Sequence, residues 1–341
     1  MDSLQQELLT GAVSAARGLG LEAEIEREPQ ADRTRADARL RLRFGGQEIL
    51  LAVEVKRGLR PAMLGPVLMQ LERLGEPVLL VTDYATPPLA DRLREQGVQF
   101  LDAAGNAYLN HPPLLVWVKG QRPVAAPAFA RPAGRAFQAT GLQVVFALLG
   151  QPQLVDRPYR EIARLAGVAH GTVGLVMVDL MEQGFVIELG KTGRRLRNRR
   201  RLLDIWVEAY ARTLRPKLLL GRYRAPTHDW WETAAVLEYG AQLGAEPAAA
   251  RLTRYLRPGV ATLYAETVPA RLLADHRLRN DADGDVEIRK RFWTFEQEWG
   301  HPDLTPPVLI YADLLATGEA RCMEAGKRVY EEYLAGFIEQ D

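Results

Sequence analysis

The sequence has 341 residues, which is long enough for two or three domains that each bury a hydrophobic core. Hydrophobic residues make up 47% of it and charged residues 26%, and this balance excludes a disordered or a fibrous protein. The net charge is only +1, but residues 121–225 hold 18 basic and 7 acidic side chains between two acidic flanks, which favours a segment that binds a polyanion such as nucleic acid.

Cysteine content and the start of the chain bear on the compartment. Cys322 is the only cysteine, so a disulfide framework and a cysteine-based zinc site are both excluded, and a reducing compartment fits. No apolar run approaches the roughly 18 residues that a membrane span needs. The N-terminal residues also lack the basic and then apolar pattern of a secretory signal. We therefore expect a cytoplasmic protein that has no membrane partner.

Helix and strand signals alternate over residues 1–120. The pattern predicts a helix near residues 3–18, a hairpin over residues 37–56 and a second helix near residues 62–74. A strand, a helix and three further strands follow. This order predicts an α/β domain with a mixed sheet and helices on its faces.

The hairpin has a register that can be predicted. The Gly-Gly pair at residues 45–46 suits a two-residue turn, because glycine adopts positive φ without strain. Facing positions then sum to 91, so that Leu40 lies opposite Leu51 on a continuously apolar face. Asp37 lies opposite Glu54 on the other, mostly polar face.

Two opposed carboxylates at this position favour a cation between them. Directly opposed strand residues have Cβ atoms about 5 Å apart, so Asp37 and Glu54 repel each other unless a positive charge intervenes. A hard divalent cation removes that repulsion. Lys56 lies two residues beyond Glu54 on the same face, where it can orient or help to deprotonate a metal-bound water.

Asp37 followed by Glu54-Val55-Lys56 at the end of the next strand resembles the signature of the PD-(D/E)XK nucleases. Ala36 replaces the leading proline of that signature, which removes no ligand. The resemblance implies a nuclease-like fold in which Asp37 and Glu54 hold Mg²⁺ or Mn²⁺. Lys56 is then a catalytic residue of DNA phosphodiester hydrolysis.

Three further residues are candidates for the same site. Gln70 on the second helix is similar to a helical glutamine that many of these nucleases place beside the metal, and Glu7 is similar to an extra acidic residue of their Holliday-junction-resolvase relatives. Asp102 ends a predicted strand and could border the site, although its segment also fits a plain turn. Two alternatives stay open, namely a surface charge cluster and a nuclease-like fold that binds DNA without cutting it.

Residues 121–140 are rich in proline, alanine and glycine and show no apolar periodicity. We interpret this segment as a linker, or as an arm that lies over a neighbouring domain. The pattern then becomes helical.

Residues 141–204 show two short helices, a tight turn, a third helix and a strand. This layout resembles a winged helix-turn-helix, which implies that the N-terminal turn of the third helix faces the DNA major groove with His170 and Thr172. The basic run that follows would lie in the wing and contact phosphates rather than bases. Its predicted DNA-binding residues are Lys191, Arg194, Arg195, Arg197, Arg199, Arg200 and Arg201. The alternative is a solvated charge run.

Residues 205–341 predict an α+β domain with an acidic balance and no recognisable catalytic motif. The complete order is an α/β nuclease-like mixed sheet, a winged helix-turn-helix and an α+β C-terminal domain. Together with "FLDAAGNAYL" and "YADLLATGEARC", this order resembles a bacterial family classed with the AbiEi-type antitoxin transcriptional regulators of type IV toxin–antitoxin systems.

Two functional hypotheses follow from these resemblances. In the first, the protein is a metal-dependent DNA endonuclease that its winged helix directs to the target. In the second, it is a transcriptional regulator or antitoxin whose nuclease-like domain is not catalytic and which has a cognate toxin as partner. Both predict a homodimer, because cutting two strands or reading a two-fold operator requires two copies.

Overall fold

The computed structural model describes residues 3–26, 36–74, 77–122, 134–190, 193–296 and 299–340. The chain divides into two units, Met1–Arg131 and Pro132–Asp341. The division falls within the predicted linker 121–140, of which residues 123–133 lie outside the described residues.

A mixed seven-stranded sheet forms the first unit, and its strands are neighbours in chain order. The β3/β4 and β4/β5 pairs are parallel, and the other pairs are antiparallel. The strands are β1 (Glu22–Glu26), β2 (Ala38–Phe44), β3 (Gln47–Lys56), β4 (Val78–Thr82), β5 (Phe100–Asp102), β6 (Ala107–His111) and β7 (Leu114–Val118). The helices are α1 (Ser3–Gly18), α2 (Leu64–Leu74) and α3 (Pro87–Glu95).

The predicted register of the β2–β3 hairpin is confirmed. Leu40 pairs with Leu51, and all seven pairs between the two strands sum to 91. Gly45 and Gly46 have φ values of 58° and 80°, which glycine adopts in a two-residue hairpin turn at no steric cost.

Helices cover both faces of this sheet. Helix α1 packs on the apolar face of the hairpin, where Leu9 joins a buried cluster with Leu51 and Val53. On the opposite face the Phe100 and Trp117 rings meet edge to face at 6.4 Å, and the Arg94 guanidinium of α3 lies 5.0 Å from the Trp117 ring centre. Residues that alternate along each strand therefore belong to two different cores.

The second unit begins with three helices and a two-stranded hairpin. These elements are α4 (Ala139–Gly150), α5 (Tyr159–Ala166), α6 (His170–Glu182), β8 (Val186–Glu188) and β9 (Arg194–Leu196). The next helix, α7 (Arg199–Ala209), continues into a π-helical turn at Tyr210–Leu214. Ile162 of α5 and Val176 of α6 are fully buried.

A five-stranded mixed sheet follows in the order β11-β12-β14-β10-β13, in which β12 and β14 are parallel. Its strands are β10 (Leu219–Arg224), β11 (Ala241–Gly244), β12 (Ala261–Ala265), β13 (Arg279–Asn280) and β14 (Val286–Lys290). Its helices are α8 (Trp230–Thr233), α9 (Ala245–Thr253), α10 (Ala270–Asp275), α11 (Pro307–Ala316), α12 (Ala320–Tyr333) and α13 (Ala335–Ile338).

The boundary predicted at residues 204/205 is not a break in the structure, because it lies inside α7. The Trp206 indole N–H donates a hydrogen bond of 2.8 Å to the Leu142 carbonyl of α4. The Phe146 ring stacks on Trp206 at 5.5 Å and contacts Phe292 at 5.0 Å. Side chains from both sides of the predicted boundary thus share one aromatic core.

Within the described residues, no single helix is long and apolar enough to cross a membrane. Helices α5 and α6 reach the required length and apolarity only as a pair, and they are bent by 105° relative to each other.

A buried carboxylate connects three elements of the second unit. Asp313 of α11 is fully buried and accepts hydrogen bonds from the Tyr210 hydroxyl at 2.9 Å and the Tyr264 hydroxyl at 2.7 Å. The Arg215 Nε donates to the same carboxylate at 2.9 Å. Burial, together with the Asp313 charge, raises the pKa of both tyrosines well above the usual value, so both hydroxyls stay protonated and can donate.

We expect the substitution Asp313→Asn to lower the free energy of unfolding of the second unit by about 3 kcal/mol, because it removes the nearest buried counter-charge of Arg215 and leaves the longer contact with Glu287, at 3.9 Å. The matched control Asp275→Asn removes an exposed ion pair with Arg271 and should cost less than about 1 kcal/mol.

Cys322 provides the measurement. It is fully buried, and burial raises the pKa of its thiol to about 11, so a thiol reagent modifies it only when the second unit opens. The modification rate under native conditions should rise in Asp313→Asn and stay near the wild-type rate in Asp275→Asn. Equal protection of Cys322 in all three proteins would contradict this role of Asp313.

Candidate functional site

The end of β3 carries a connected group of polar side chains. The Lys56 ammonium lies 2.9 Å from Glu54 Oε1 and donates a hydrogen bond of 2.5 Å to Gln70 Oε1 on α2. The side chains of Glu54 and Lys56 are only 16% and 12% exposed. Glu54 and Lys56 point to the same face of the sheet because they are two positions apart in a strand. Gln70 reaches this face from α2.

Asp37 is fixed to the same strand end. Its backbone N–H donates to the Val53 carbonyl at 2.9 Å, and its Oδ2 accepts the Val55 N–H at 2.9 Å. Val55 lies between Glu54 and Lys56 in the strand. The structure therefore brings the four residues predicted for catalysis, Asp37, Glu54, Lys56 and Gln70, to one end of the β2–β3 pair.

The capacity of this group for a metal ion is limited. Over the described ranges, no three or more His, Cys, Asp or Glu residues form a group that could hold a metal. Asp37 and Glu54 supply two carboxylates, and Lys56 already neutralises one of them. Mg²⁺ is often held by one or two carboxylates plus water and substrate phosphates, so this donor set fits an ion whose coordination a DNA phosphate completes.

The two accessory candidates have structural positions. Asp102 is fully buried at the end of β5, and its carboxylate accepts N–H groups from Ala85, Ala104 and Asn106 at 2.7–2.9 Å, including the Asn106 side-chain amide. Burial raises the pKa of Asp102, and these hydrogen bonds oppose the shift. Glu7 is exposed on α1, which covers the sheet face opposite to Glu54.

The predicted base-reading residues lie at the start of α6. His170 is the first residue of this helix and is exposed, and Thr172 is half-buried. Helices α5 and α6 are joined by three residues, among which Gly167 has a left-handed φ of 67° that ends α5.

The structure changes the placement of the predicted basic run. Arg194 and Arg195 lie on β9 and Arg197 follows it, but Arg199–Arg201 form the first turn of α7 rather than part of the hairpin. Lys191 lies outside the described residues. The sequence gives no clear signal for the start of α7. Asn198 in the N-cap position has a left-handed φ of 52°, and its side chain does not cap the helix.

Some of these arginines are held within the unit. The Arg194 guanidinium lies 4.6 Å from the Tyr159 ring centre and donates to the Arg157 carbonyl at 2.8 Å. Arg199 donates to the Phe337 carbonyl at 2.7 Å, and Arg200 lies 3.9 Å from the Tyr330 ring centre.

Other arginines in this part of the chain are exposed. We name them the exposed arginine group: Arg157, Arg160, Arg164, Arg195, Arg197 and Arg201. The first three precede or belong to α5 and were not predicted, because single arginines on a short helix give no clear sequence signal. They increase the positive charge around α5 and the hairpin.

Comparison with known proteins bears on the second unit. Residues 195–335 match the family model described as "Transcriptional regulator, AbiEi antitoxin, Type IV TA system". This part is similar to AbiEi antitoxins. The match covers less than half of the chain, begins in β9, and ends at the start of α13. No curated protein and no solved structure matches the chain. The resemblance of the first unit to PD-(D/E)XK nucleases is therefore not confirmed.

The hydrogen bonds of Asp102 lead to a prediction about the first unit. The substitution Asp102→Ala should lower its free energy of unfolding by about 3 kcal/mol, because it leaves four buried or half-buried N–H donors without an acceptor. Glu7→Ala, at an exposed helix position, should change it by less than about 0.5 kcal/mol.

Amide hydrogen exchange of peptides from β4 to β6 measures this difference. Faster exchange in Asp102→Ala alone is the expected result. Unchanged exchange in both variants would show that the turn after β5 does not depend on the carboxylate.

Proposed function

We propose that the protein is a DNA-binding transcriptional regulator and antitoxin of a type IV toxin–antitoxin system. The observation that carries this proposal is the family match over residues 195–335. The match begins within the hairpin that follows α6, so the family-like part is continuous with the arginine-rich hairpin and α7. A cognate toxin is the protein partner that this family implies.

The DNA-binding mechanism follows from the elements of the second unit. In this proposal α4, α5, α6 and the β8–β9 hairpin act as a winged helix-turn-helix, with α6 in the major groove. His170 and Thr172 then lie close to base edges. Arg195 and Arg197 contact phosphates from the hairpin and Arg201 from the start of α7, which supplies affinity but no sequence information.

Two copies of the chain would act together on the DNA. A winged helix of this size covers one half-site, and a two-fold operator requires a homodimer. The first unit or the part that follows α7 would supply the dimer contacts. Repression then results from occupancy of the operator.

Charge reversal on the exposed arginine group tests the proposal. The triple variant Arg195→Glu, Arg197→Glu and Arg201→Glu should bind the DNA upstream of the protein's own gene at least about a hundredfold more weakly at low salt. The slope of log affinity against log salt should fall by about 0.9 for each DNA phosphate that the variant no longer neutralises.

Arg271→Glu is the matched control, because Arg271 is an exposed arginine on α10, outside the exposed arginine group. This variant should keep the wild-type affinity and salt slope. Filter binding or fluorescence anisotropy over a salt series gives both quantities. Equal affinity of the triple variant and the control would contradict DNA binding through the hairpin and α7.

A second function is favoured by the Glu54–Lys56–Gln70 contacts. In this proposal the first unit hydrolyses a DNA phosphodiester bond, and Asp37 and Glu54 would hold Mg²⁺ or Mn²⁺ against the phosphate. When bound, the metal would neutralise charge on the phosphate and lower the pKa of a water bound to it. Lys56, which Gln70 and Glu54 hold in place, orients the group that attacks phosphorus.

Metal-dependent cleavage of supercoiled and branched DNA tests this second function. Wild type should cleave with Mg²⁺ or Mn²⁺ but not with chelator, and Glu54→Ala should cleave at least about a hundredfold more slowly because a metal ligand is worth several kcal/mol. Glu48→Ala, an exposed residue of the same strand, should cleave like wild type. If wild type binds DNA normally but does not cleave it, this second function is contradicted. The first unit is then a non-catalytic part of the regulator.

A further inference from the structure

The outer face of α6 carries an apolar stripe. Leu175 and Val178 lie on successive turns of this helix, and they are 56% and 50% exposed. The core of the same helix is formed by Val173, Val176 and Leu180, which are fully buried on its other side. The two exposed side chains are therefore additional to those that α6 needs for packing.

The polar chemistry of this face is sparse. Reading guanine or adenine in the major groove usually requires a bidentate contact from Arg, Lys, Asn or Gln. Helix α6 has none of these residues between His170 and Glu182, and Gln183 directly after it is bound to Asp179 at 2.8 Å. Between His170 and Thr172 at its start and the acidic Glu182 at its end, the large exposed side chains of α6 are the aliphatic Leu175 and Val178.

An arginine is connected to the stripe through two intermediate residues. Gly174 is next to Val178 on the helix surface, and a methyl group placed on Gly174 would lie 4.0 Å from Tyr159 Cε2. The Arg194 guanidinium packs over that same tyrosine ring. The stripe is thus connected to Arg194 through Gly174 and the Tyr159 ring, and the exposed arginine group lies before and on α5, in and after β9 and at the start of α7.

These observations identify the kind of partner. Nine arginines and four acidic residues are described between residues 157 and 201, so the surroundings favour a polyanion. An aliphatic surface within a polyanion-binding region matches the one apolar group that the major groove presents, the C5-methyl group of thymine. A methyl group at Gly171 would meet open space, so nothing in this turn blocks a close approach.

We propose that Leu175 and Val178 read thymine methyl groups, so that the operator has thymines where these side chains enter the groove. The inference rests on the proposed DNA-binding function and adds the base class that α6 selects. Recognition is by apolar contact at the stripe, while the arginines supply affinity that does not depend on sequence.

The methyl group can be removed from the DNA without changing base pairing. Duplexes that the full-length protein selects from a random-sequence pool are prepared in two forms, one with thymidine and one with deoxyuridine, which lacks the C5-methyl group. Wild type should bind the deoxyuridine form about fourfold more weakly for each methyl group that it buries. Unselected duplexes in the same two forms measure the sequence-independent background.

Variants of the protein connect the effect to α6. The double variant Leu175→Ala and Val178→Ala should bind both forms with equal affinity, while its binding to unselected duplexes stays at the wild-type level. Leu115→Ala removes another exposed leucine, on β7, and should keep the wild-type preference for thymine. Thermal melting and gel filtration of each variant establish that folding and oligomeric state are retained.

The outcomes separate this inference from the proposal on which it rests. Selection of specific duplexes that bind equally well in both forms would overturn the thymine inference and leave the regulator in place. Failure to select any duplex would contradict DNA binding itself and the inference with it. A double variant that keeps the thymine preference but changes oligomeric state would show that the stripe is instead an interface between copies of the chain.

Discussion

The second unit depends on one buried charge interaction, that of Asp313 with Arg215 and two tyrosine hydroxyls. An ionised carboxylate without partners in a protein interior costs several kcal/mol, so Tyr210, Tyr264 and Arg215 must all be in place when α11 packs. Tyr210 belongs to the π-helical continuation of α7, and Tyr264 belongs to β12. The carboxylate therefore links the helices next to the arginine-rich hairpin with the five-stranded sheet. The aromatic stack of Phe146, Trp206 and Tyr210 extends the same link with apolar contacts.

The two candidate sites differ in how their charges are compensated. At the end of β3 the polar groups bond mainly to one another, since Lys56 bonds Glu54 and Gln70. A metal ion would have to displace the ammonium from Glu54 or share the carboxylate with it. Between residues 157 and 201 of the second unit, in contrast, nine described arginines face four acidic residues, and a polyanion can supply the missing negative charge. This difference agrees with the family match, which lies in the second unit, and it makes DNA binding the better supported of the two proposed activities.

Much of the first unit could be predicted from the sequence because its signals are local. The Gly-Gly turn and the period-2 pattern fix the hairpin register, and Asp37 bonds the backbone of Val53 and Val55, the residues on either side of Glu54. Strand β1 was not predicted, since its five residues Glu22–Glu26 include only two apolar positions. The exposure of Leu175 and Val178 could not be predicted either, because α6 is apolar on nearly all sides and shows no amphipathic period. The role of Asp102 could not be predicted, because the same residues fit a plain turn and the border of a site. Its four hydrogen bonds show its role in the turn.

Helix α7 has a further consequence for how such a protein can change over time. Its first turn carries Arg201, which is proposed to contact DNA, and its middle places Trp206 in the core that Phe292 also enters. A recombination event between residues 204 and 205 would divide this helix and separate Trp206 from the Leu142 carbonyl. Residues 141–204 are therefore not a separable module that recombination could exchange between proteins. In the proposed mode of DNA binding, new operator specificity arises by substitutions on the outer surface of α6, where Leu175 and Val178 are at least half exposed.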